Sequence, residues 1–406
     1  MTSILGIKLD KLSLKNLLKE IDCIVFSNKS KYIVTPNPEI ILKAQKDEEL
    51  FYILNQADIS LPDGFGLIIA SLLKGYSLKR ITGSNLTPLI LKRAEDSNWK
   101  VLVINNEKGL SKNSDIENVL NNYYSNLKYL VLDLNRENNL DDDNLKNINE
   151  FSPDIMFCTF GSPYQEKFIY FNKDKITNLK LSLAIGGSFD FLTKKLKRAP
   201  KILQKIGLEW LWRLILQPKR IKRIYNATFV FLGKVIKARF NHFRYRKNVA
   251  CLLFRENTNK NIEILLVERQ DEANHWQLPQ GGTDGENLAK AAFRELKEEI
   301  NSDNLVVVKT YKNLYKYLFP SVNMERSRMQ MQGFNKHYEF KGQKQGLAIV
   351  KYIGDGSDIK VNFWEHSNFK WVKKDDFINS LHKIRQKSGK IYLDKLNKYL
   401  ESINKQ

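Results

Sequence analysis

Short β-branched runs alternate with helical stretches over residues 1–190 of this 406-residue chain. The runs are YIVTPN (32–37), VLVI (101–104), KYLVLDL (128–134), IMFCTF (155–160) and LSLAIGG (181–187). Between them, segments such as PEIILKAQKDEELFYILNQA repeat apolar residues at helical spacing. Parallel neighbours need a long crossover between them, so this alternation confines the segment to an α/β domain with a mainly parallel sheet. In such sheets ligands sit beyond the carboxyl ends of the strands, which directs attention to TPN, FGSP and IGGS.

The texture then changes twice. Residues 191–242 are basic, Trp-bearing and helical in pattern, and from about 245 strand-like runs (NVACLLF, IEILLVER, GLAIVKYIG) surround a strong helix over 287–300. The expected division is a core over 1–190, a basic helical appendage over 191–242 and a further domain over 243–406, joined at NHFRYRKN (241–248). Residues 191–250 hold 17 Lys+Arg and one acid, Glu209, so most of the formal +21 is local. Such a surplus suggests nucleic acid or an anionic membrane as partner. Hydrophobic residues at 42% exclude a disordered chain. Three separated cysteines, Cys23, Cys158 and Cys251, exclude a disulfide framework and fit small buried hydrophobes in a reducing cytosol. Lys8, Asp10 and Lys11 interrupt any signal-peptide core. The uncharged run IYNATFVFLG (224–233) is half the roughly 20 residues a membrane span needs. The chain reads as cytoplasmic, soluble or peripheral to the membrane.

In GGTDGENLAKAAFRELKEEIN (281–301), Glu295, Glu298 and Glu299 fall at i, i+3 and i+4 and share one helix face. Crowded carboxylates there are destabilising unless cations bind, and hard oxygen ligands suit Mg²⁺ or Mn²⁺ bridging a diphosphate. Gly281 and Gly282 would allow a tight turn bringing backbone carbonyls to the same metals. The plain alternative is a solvated acidic face.

The pattern Gly281-x4-Glu286-x7-Arg294-Glu295-Leu296-x-Glu298-Glu299-Ile300 resembles the Nudix box, with a loop one residue short and Asn301 in place of the glycine after the helix. Asn is the next most tolerant residue for a left-handed cap. YRKNVA, WQLPQGG, FKGQKQ and the Trp371–Val372 strand end are similar to the RNA pyrophosphohydrolase branch of that family, over about 244–380. The resemblance implies an α/β/α sandwich with a mixed sheet and metal-assisted water attack on a phosphoanhydride. It makes Glu295, Glu298, Glu299, Glu365 and the Gly281 carbonyl metal ligands, Glu298, Glu299 and Glu365 catalytic, and Arg294 an orienting residue. Arg246, Lys341 and Gln343 become phosphate or nucleotide contacts; as isolated residues they also suit a solvated surface. Substrates left open are RNA 5′ ends, dinucleoside polyphosphates and nucleotide sugars, and the short loop leaves room for an inactive binding module.

In the first domain Asp63 lies between Pro62 and Gly64, where a turn can aim a carboxylate into a cleft, although Asp in such a turn often only shapes it. RITG, FGSPYQEKF and AIGGSFDFLTKKLKRAP add glycines at strand ends, whose backbone N–H groups suit phosphates. TPNPE, ADxxxPDGxG, RxTG, GSPxQE, GGxFDF, KRAP and GLEWLWRLxxQPxRxxR, in that order over about 1–225, resemble the WecG/TagA/CpsF glycosyltransferases. That resemblance implies a Rossmann-like domain transferring N-acetylmannosamine, or its uronic acid, with inversion from UDP to polyprenyl-diphosphate-linked N-acetylglucosamine, with no cofactor expected. It makes Asp63 the general base, places Thr35 and Asn37 on the sugar nucleotide, and has Arg80, Gln165 and Asp190 line the cleft. Asn85 stands where members commonly have Asp, and Lys194 where they have glycine.

Arg213, Arg220 and Arg223 are spaced to form one stripe on a helix, and their guanidiniums could neutralise a departing UDP or the acceptor diphosphate. Trp210, Trp212, Leu214 and Ile215 beside such cations suit an interfacial helix on anionic lipid; buried packing with a solvated lysine face is the alternative. The reading reached is a two-enzyme chain at the inner membrane face. Its rival is an RNA-processing Nudix protein whose first domain only binds a sugar nucleotide.

Overall fold

The computed structural model describes all residues except 1, 28, 138–139, 201, 204–207, 217, 219–220, 242, 320–339 and 404–406. The chain divides into two compact units, 1–237 and 238–406.

The first unit opens with a hairpin of β1 (Thr2–Ile4) and β2 (Ile7–Leu9), then α1 (Leu14–Val25). Six strands follow: β3 (Lys31–Val34), β4 (Ile59–Ser60), β5 (Val101–Asn106), β6 (Tyr129–Leu134), β7 (Ile155–Cys158) and β8 (Leu181–Ala184). They form one sheet in the order β4-β3-β8-β7-β5-β6, with every neighbouring pair parallel. The connecting helices are α2 (Pro38–Ala44), α3 (Glu48–Gln56), α4 (Phe65–Leu73), α5 (Gly83–Asp96), α6 (Asn113–Tyr123), α7 (Asp142–Phe151) and α8 (Tyr164–Asn172). β5, β7 and β8 are fully buried apart from Asn106, as helices on both faces require, and read as continuous apolar runs. The five sequence-marked strands form, ending two or three residues early at their functional loops except for β5 and β6. The two-residue β4 carries too few residues for a period to show. Cys23 corrects the expectation of burial: Cys158 and Cys251 are buried, but Cys23 lies on α1 away from the buried Leu17, Ile21, Ile24 and Val25.

After α9 (Ser188–Leu192), Lys194 adopts φ 60°, the left-handed conformation a glycine takes freely. The basic segment folds into α10 (Glu209–Leu216), α11 (Ile221–Tyr225), a π-helical turn (Asn226–Val230) and α12 (Phe231–Asn241). The arginine stripe is therefore not on one helix. Arg213 belongs to α10 and Arg223 to α11, with Pro218 between them, and Arg220 lies outside the described residues.

The second unit has β9 (Tyr245–Glu256), β10 (Ile262–Arg269), β11 (Trp276–Gln277), β12 (Gln280–Gly282), α13 (Leu288–Ile300), β13 (Leu305–Leu318), β14 (Gly342–Tyr352), β15 (His366–Lys373), α14 (Phe377–Ser380) and α15 (Lys383–Ile403). Its seven-stranded sheet is mixed: β9 and β14 run parallel and the other pairs antiparallel. Alternation along β9 sends Val249, Cys251 and Leu253 to a core with α13, and Ala250, Leu252 and Phe254 to a core with α15. The unit is an α/β/α sandwich.

Candidate active sites

In the first unit the motif loops meet at the carboxyl ends of the strands. Backbone bonds lace three of them: Leu61 N–H donates to Val34 O (2.9 Å), Asp63 N–H to Pro36 O (3.0 Å) and Ile81 N–H to Pro62 O (3.1 Å). The TPN, PDG and RITG segments thus form one ledge. Gly64, at φ 116°, makes the turn that leaves Asp63 half-buried at its lip. From the other side, Thr35 Oγ1 donates to Ala184 O (3.0 Å), and Gln165 Oε1 accepts from Gly186 N–H (2.9 Å). A Cβ on Gly83 would stand 3.2 Å from Ser188 Oγ, so the RITG glycine permits close approach to the IGGS turn.

Several expected substrate contacts are also structural. Asn37 caps α2 by accepting from Ile40 N–H (2.9 Å), and Asp190 accepts from the Ser111 hydroxyl (2.7 Å) and N–H (3.2 Å). Asn85 accepts from Arg198, and Thr82 caps the same helix. Arg80 donates to Glu209 Oε2 at 2.6 Å, both largely buried, so the single acid of the basic segment reaches a cleft arginine. Arg223 makes a bidentate pair with Glu39 on α2. The sequence marked Glu209 only by its isolation among cations. Glu166, the last residue of the GSPxQE segment, was assigned no role: it is fully buried, its carboxyl is pushed up by desolvation, and it accepts from Gln165 Nε2 (2.9 Å), fixing which way that amide faces.

In the second unit α13 carries the acids. Asn287 caps it by accepting from Lys290 N–H (2.9 Å), and Asn301 ends it at φ 55°, in the left-handed conformation expected of it. Gly281 and Gly282 do not form the anticipated turn. They lie in β12, paired with Val249 and Asn248 of β9, and neither has positive φ. Their requirement is room: a Cβ on Gly281 would stand 1.8 Å from the Glu295 carboxyl carbon, and one on Gly282 2.3 Å from Arg246 Nη2. The Gly282 carbonyl accepts from Arg294 Nη2 (2.8 Å). Arg294 also donates to Glu286 (2.9 Å), Glu295 (2.8 Å) and Glu298 (3.3 Å). Burial works against its charge, but these carboxylates outweigh it and hold the guanidinium protonated above its ordinary range.

Glu295 is pushed up to about 8, by burial first and then by Glu299, against the pull of Arg294. Glu299 is buried and raised well above the usual range by desolvation and Glu365. It accepts from Gln280 N–H (3.3 Å) and sits 3.0 Å from His366 Nε2. Burial lowers His366, opposed by Glu365. Oxygens of Glu299 and Glu365 and a nitrogen of His366 lie within 4.8 Å of one another. Sequence spacing gave no hint of His366. This crowd of hard oxygen donors, with Glu295 and Glu299 raised by burial and by neighbouring carboxylates, fits a divalent cation. Arg246 lies among Asp284, Glu295 and Glu365, its pKa lowered by burial and raised by them. Gln343 is buried and accepts from Tyr317 Oη (2.5 Å), while Lys341 is exposed, 5.9 Å from the Tyr245 ring centre. Glu272, His275 and His382 form another close group, but the two imidazoles stack at 4.1 Å and 17°, so their ring-plane lone pairs run side by side instead of converging on one ion.

Residues 2–245 match the sequence model of the family described as glycosyl transferase WecG/TagA/CpsF, and residues 244–394 that of the NUDIX domain. Among similar proteins, an N-acetylglucosaminyldiphosphoundecaprenol N-acetyl-beta-D-mannosaminyltransferase of Bacillus subtilis is 33% identical over 48% of this chain and 75% of its own length. The enzyme of that name from Staphylococcus aureus is 31% identical over 58% of this chain and 92% of its own. Among solved structures, an Ap4A hydrolase of C. elegans is 23% identical over 39% of this chain and 98% of its own, with a TM-score of 0.29. RenU, a Nudix hydrolase of M. smegmatis, is 17% identical over 39% and 87%, with a TM-score of 0.28.

Proposed function

The chain belongs to the WecG/TagA/CpsF family of glycosyltransferases and carries a NUDIX domain behind that region, and on this premise we propose that it runs two reactions. The first is inverting transfer of an N-acetylmannosamine-type sugar from UDP to a polyprenyl-diphosphate-linked N-acetylglucosamine, at the inner face of the membrane. Asp63 takes the proton of the acceptor hydroxyl. Thr35, Asn37, Gln165 and Asp190 shape the donor pocket, and Arg80, Arg213, Arg220 and Arg223 meet diphosphate charge. The observation that carries this reading is the convergence of the TPN, PDG, RITG and IGGS loops, from separate parts of the chain, around the half-buried Asp63. The basic segment over 191–242 serves as the appendage that meets the lipid surface; no described helix is long and apolar enough to cross a membrane.

The second reaction is Mg²⁺-dependent hydrolysis of a phosphoanhydride. Glu295, Glu298, Glu299, Glu365 and the Gly281 carbonyl hold the ion, Arg294 keeps the glutamates in place, and Arg246, Lys341 and Gln343 meet the substrate. Bound there, the ion supplies Lewis acidity and a water of lowered pKa. An RNA 5′ end is the substrate class favoured by the strand surface beside the site. Tyr245 lies under Lys316 at 4.1 Å, and Tyr315, Tyr317 and Phe319 follow one another at 5.9 and 5.8 Å, the aromatic–basic mixture on which bases stack.

One pair of variants tests both halves. Asp63→Asn should lower transfer to a short-lipid acceptor about a thousandfold while UDP-sugar binding persists. Glu299→Gln should lower Mg²⁺-dependent pyrophosphate release by a similar order and leave transfer intact. Wild-type turnover in either variant defeats that site. Triphosphorylated RNA and nucleotide sugars offered side by side decide the second substrate.

A further inference from the structure

The chain leaves Asp63, turns at Gly64 and enters α4, whose nine residues FGLIIASLL contain no charge. Leu67, Ala70 and Ser71 face inward and are buried. The opposite stripe should be polar on a wetted helix, yet it is Phe65, Ile68, Ile69 and Leu72, with Phe65 39% and Leu72 62% exposed. A helix apolar all round is normally buried, and a contiguous exposed apolar stripe marks an interaction surface. The stripe does not stand alone. A Cβ on Gly66 would stand 3.4 Å from Ala227 O and 3.8 Å from Phe231, which brings the π-helical turn against the start of α4. On and beside that turn, Phe229 is 70% and Tyr225 56% exposed, their rings 5.6 Å apart. Exposed lysines flank these elements along the chain: Lys74, whose Nζ donates to Ser3 O (3.1 Å), and Lys79 after α4, Lys222 before the turn and Lys234 after it.

We propose that α4 is a lipid-contacting element of the transferase core, and that anionic bilayer is its occupant. The rim chooses the partner. A second copy set against this face would bring lysine against lysine, whereas anionic headgroups complement them. A helix lying in the interface buries its apolar face about 5–10 Å deep. Asp63, two residues before α4, would then stand at headgroup level, where the diphosphate of a lipid-borne acceptor lies. This consequence rests on the transferase reading; the lipid contact itself does not.

The test uses the full chain, sedimented with phosphatidylcholine vesicles with and without phosphatidylglycerol, and Leu72→Glu and Leu72→Glu/Leu73→Glu variants. Leu72→Glu should lower the partition coefficient about tenfold and the double variant further, with far-UV circular dichroism unchanged. Transfer to a vesicle-borne acceptor should fall in step while transfer to a soluble short-chain acceptor is kept. Vesicle binding equal to wild type overturns the proposal. So does light scattering that shows a wild-type dimer dissociated by Leu72→Glu with vesicle binding unaltered. If the transferase reading is what fails, neither protein transfers to either acceptor, while sedimentation still separates them.

Discussion

In the NUDIX half Glu295, Glu298 and Glu299 ride on one capped helix, and Arg294 beside them gathers Glu286, Glu295 and Glu298 to a single point. In the transferase half Thr35, Asp63 and Arg80 come from three different loops laced by backbone bonds, and Gln165, on α8, joins them by accepting from Gly186 N–H. One site is built by helical period, the other by a sheet. The first stores its stress as charge, in acids raised by burial and mutual repulsion. Among the described residues the second shows no such crowd: Arg80 is matched by Glu209 and Arg223 by Glu39. A site under electrostatic stress asks for a cation, and a site of matched pairs asks for a substrate that can compete for them.

The sharpest way to break this contrast is Gly281→Ala. The new methyl group would occupy the place of the Glu295 carboxylate, so phosphoanhydride hydrolysis should drop about a hundredfold or more while sugar transfer stays at wild-type rate. Retained hydrolysis would mean Glu295 is free to relocate and the site is less constrained than its packing says.

Glu209→Gln comes next. It removes the charge matching Arg80 but keeps the shape, and transfer should fall about tenfold, chiefly in kcat, because the arginine is partly buried beside the cleft. The exposed Arg223–Glu39 pair supplies the control: Arg223→Gln should cost folding stability less than about 1 kcal/mol. Equal effects of the two changes on stability, and none on transfer by Glu209→Gln, would reduce the first pair to a surface tether.

The last effect is on stability as a function of pH. With a folded-state pKa of about 8 against an ordinary 4.5, metal-free Glu295 holds a proton that the unfolded chain has lost across that window. Its contribution is complete below about 4.5 and is lost as pH rises through about 8, at most about 1.4 kcal/mol per pH unit for one proton. The thermal midpoint of the NUDIX unit in EDTA should therefore fall by a few degrees from mildly acidic to mildly alkaline pH. Saturating Mg²⁺ should flatten that slope; an identical slope with and without the ion would separate Glu295 from metal binding.

Strands β3, β5 to β10 and β14 and the helix α13 were legible because they depend on local period: alternation along β9, β-branched runs in β5 and β7, and i, i+3, i+4 acids on α13. The Asn301 cap was equally local. Contributions joined across the chain were not legible. His366 reaches Glu299 only because β15 begins beside α13, and Glu209 reaches Arg80 only after the basic segment folds back. The glycines of β12 show the same limit from the other side. Their identity was noted, but their reason was not a turn; it was the room taken by Glu295 on α13 and by Arg246 on the neighbouring strand β9.

By itself, then, the sequence determined a parallel α/β domain and a carboxylate face on one helix, since periodicity and turn chemistry act over a few residues; the mixed-sheet sandwich followed from the Nudix resemblance alone. Tertiary structure decided which acids are stressed, which arginines are matched and which apolar helix face is left to water. Burial and long-range pairing belong to neighbours that no local pattern names. The basic segment shows both limits at once. Its charge could be counted along the chain, but its break at Pro218 and its anchoring through Glu209 and Arg223 emerged only in the fold.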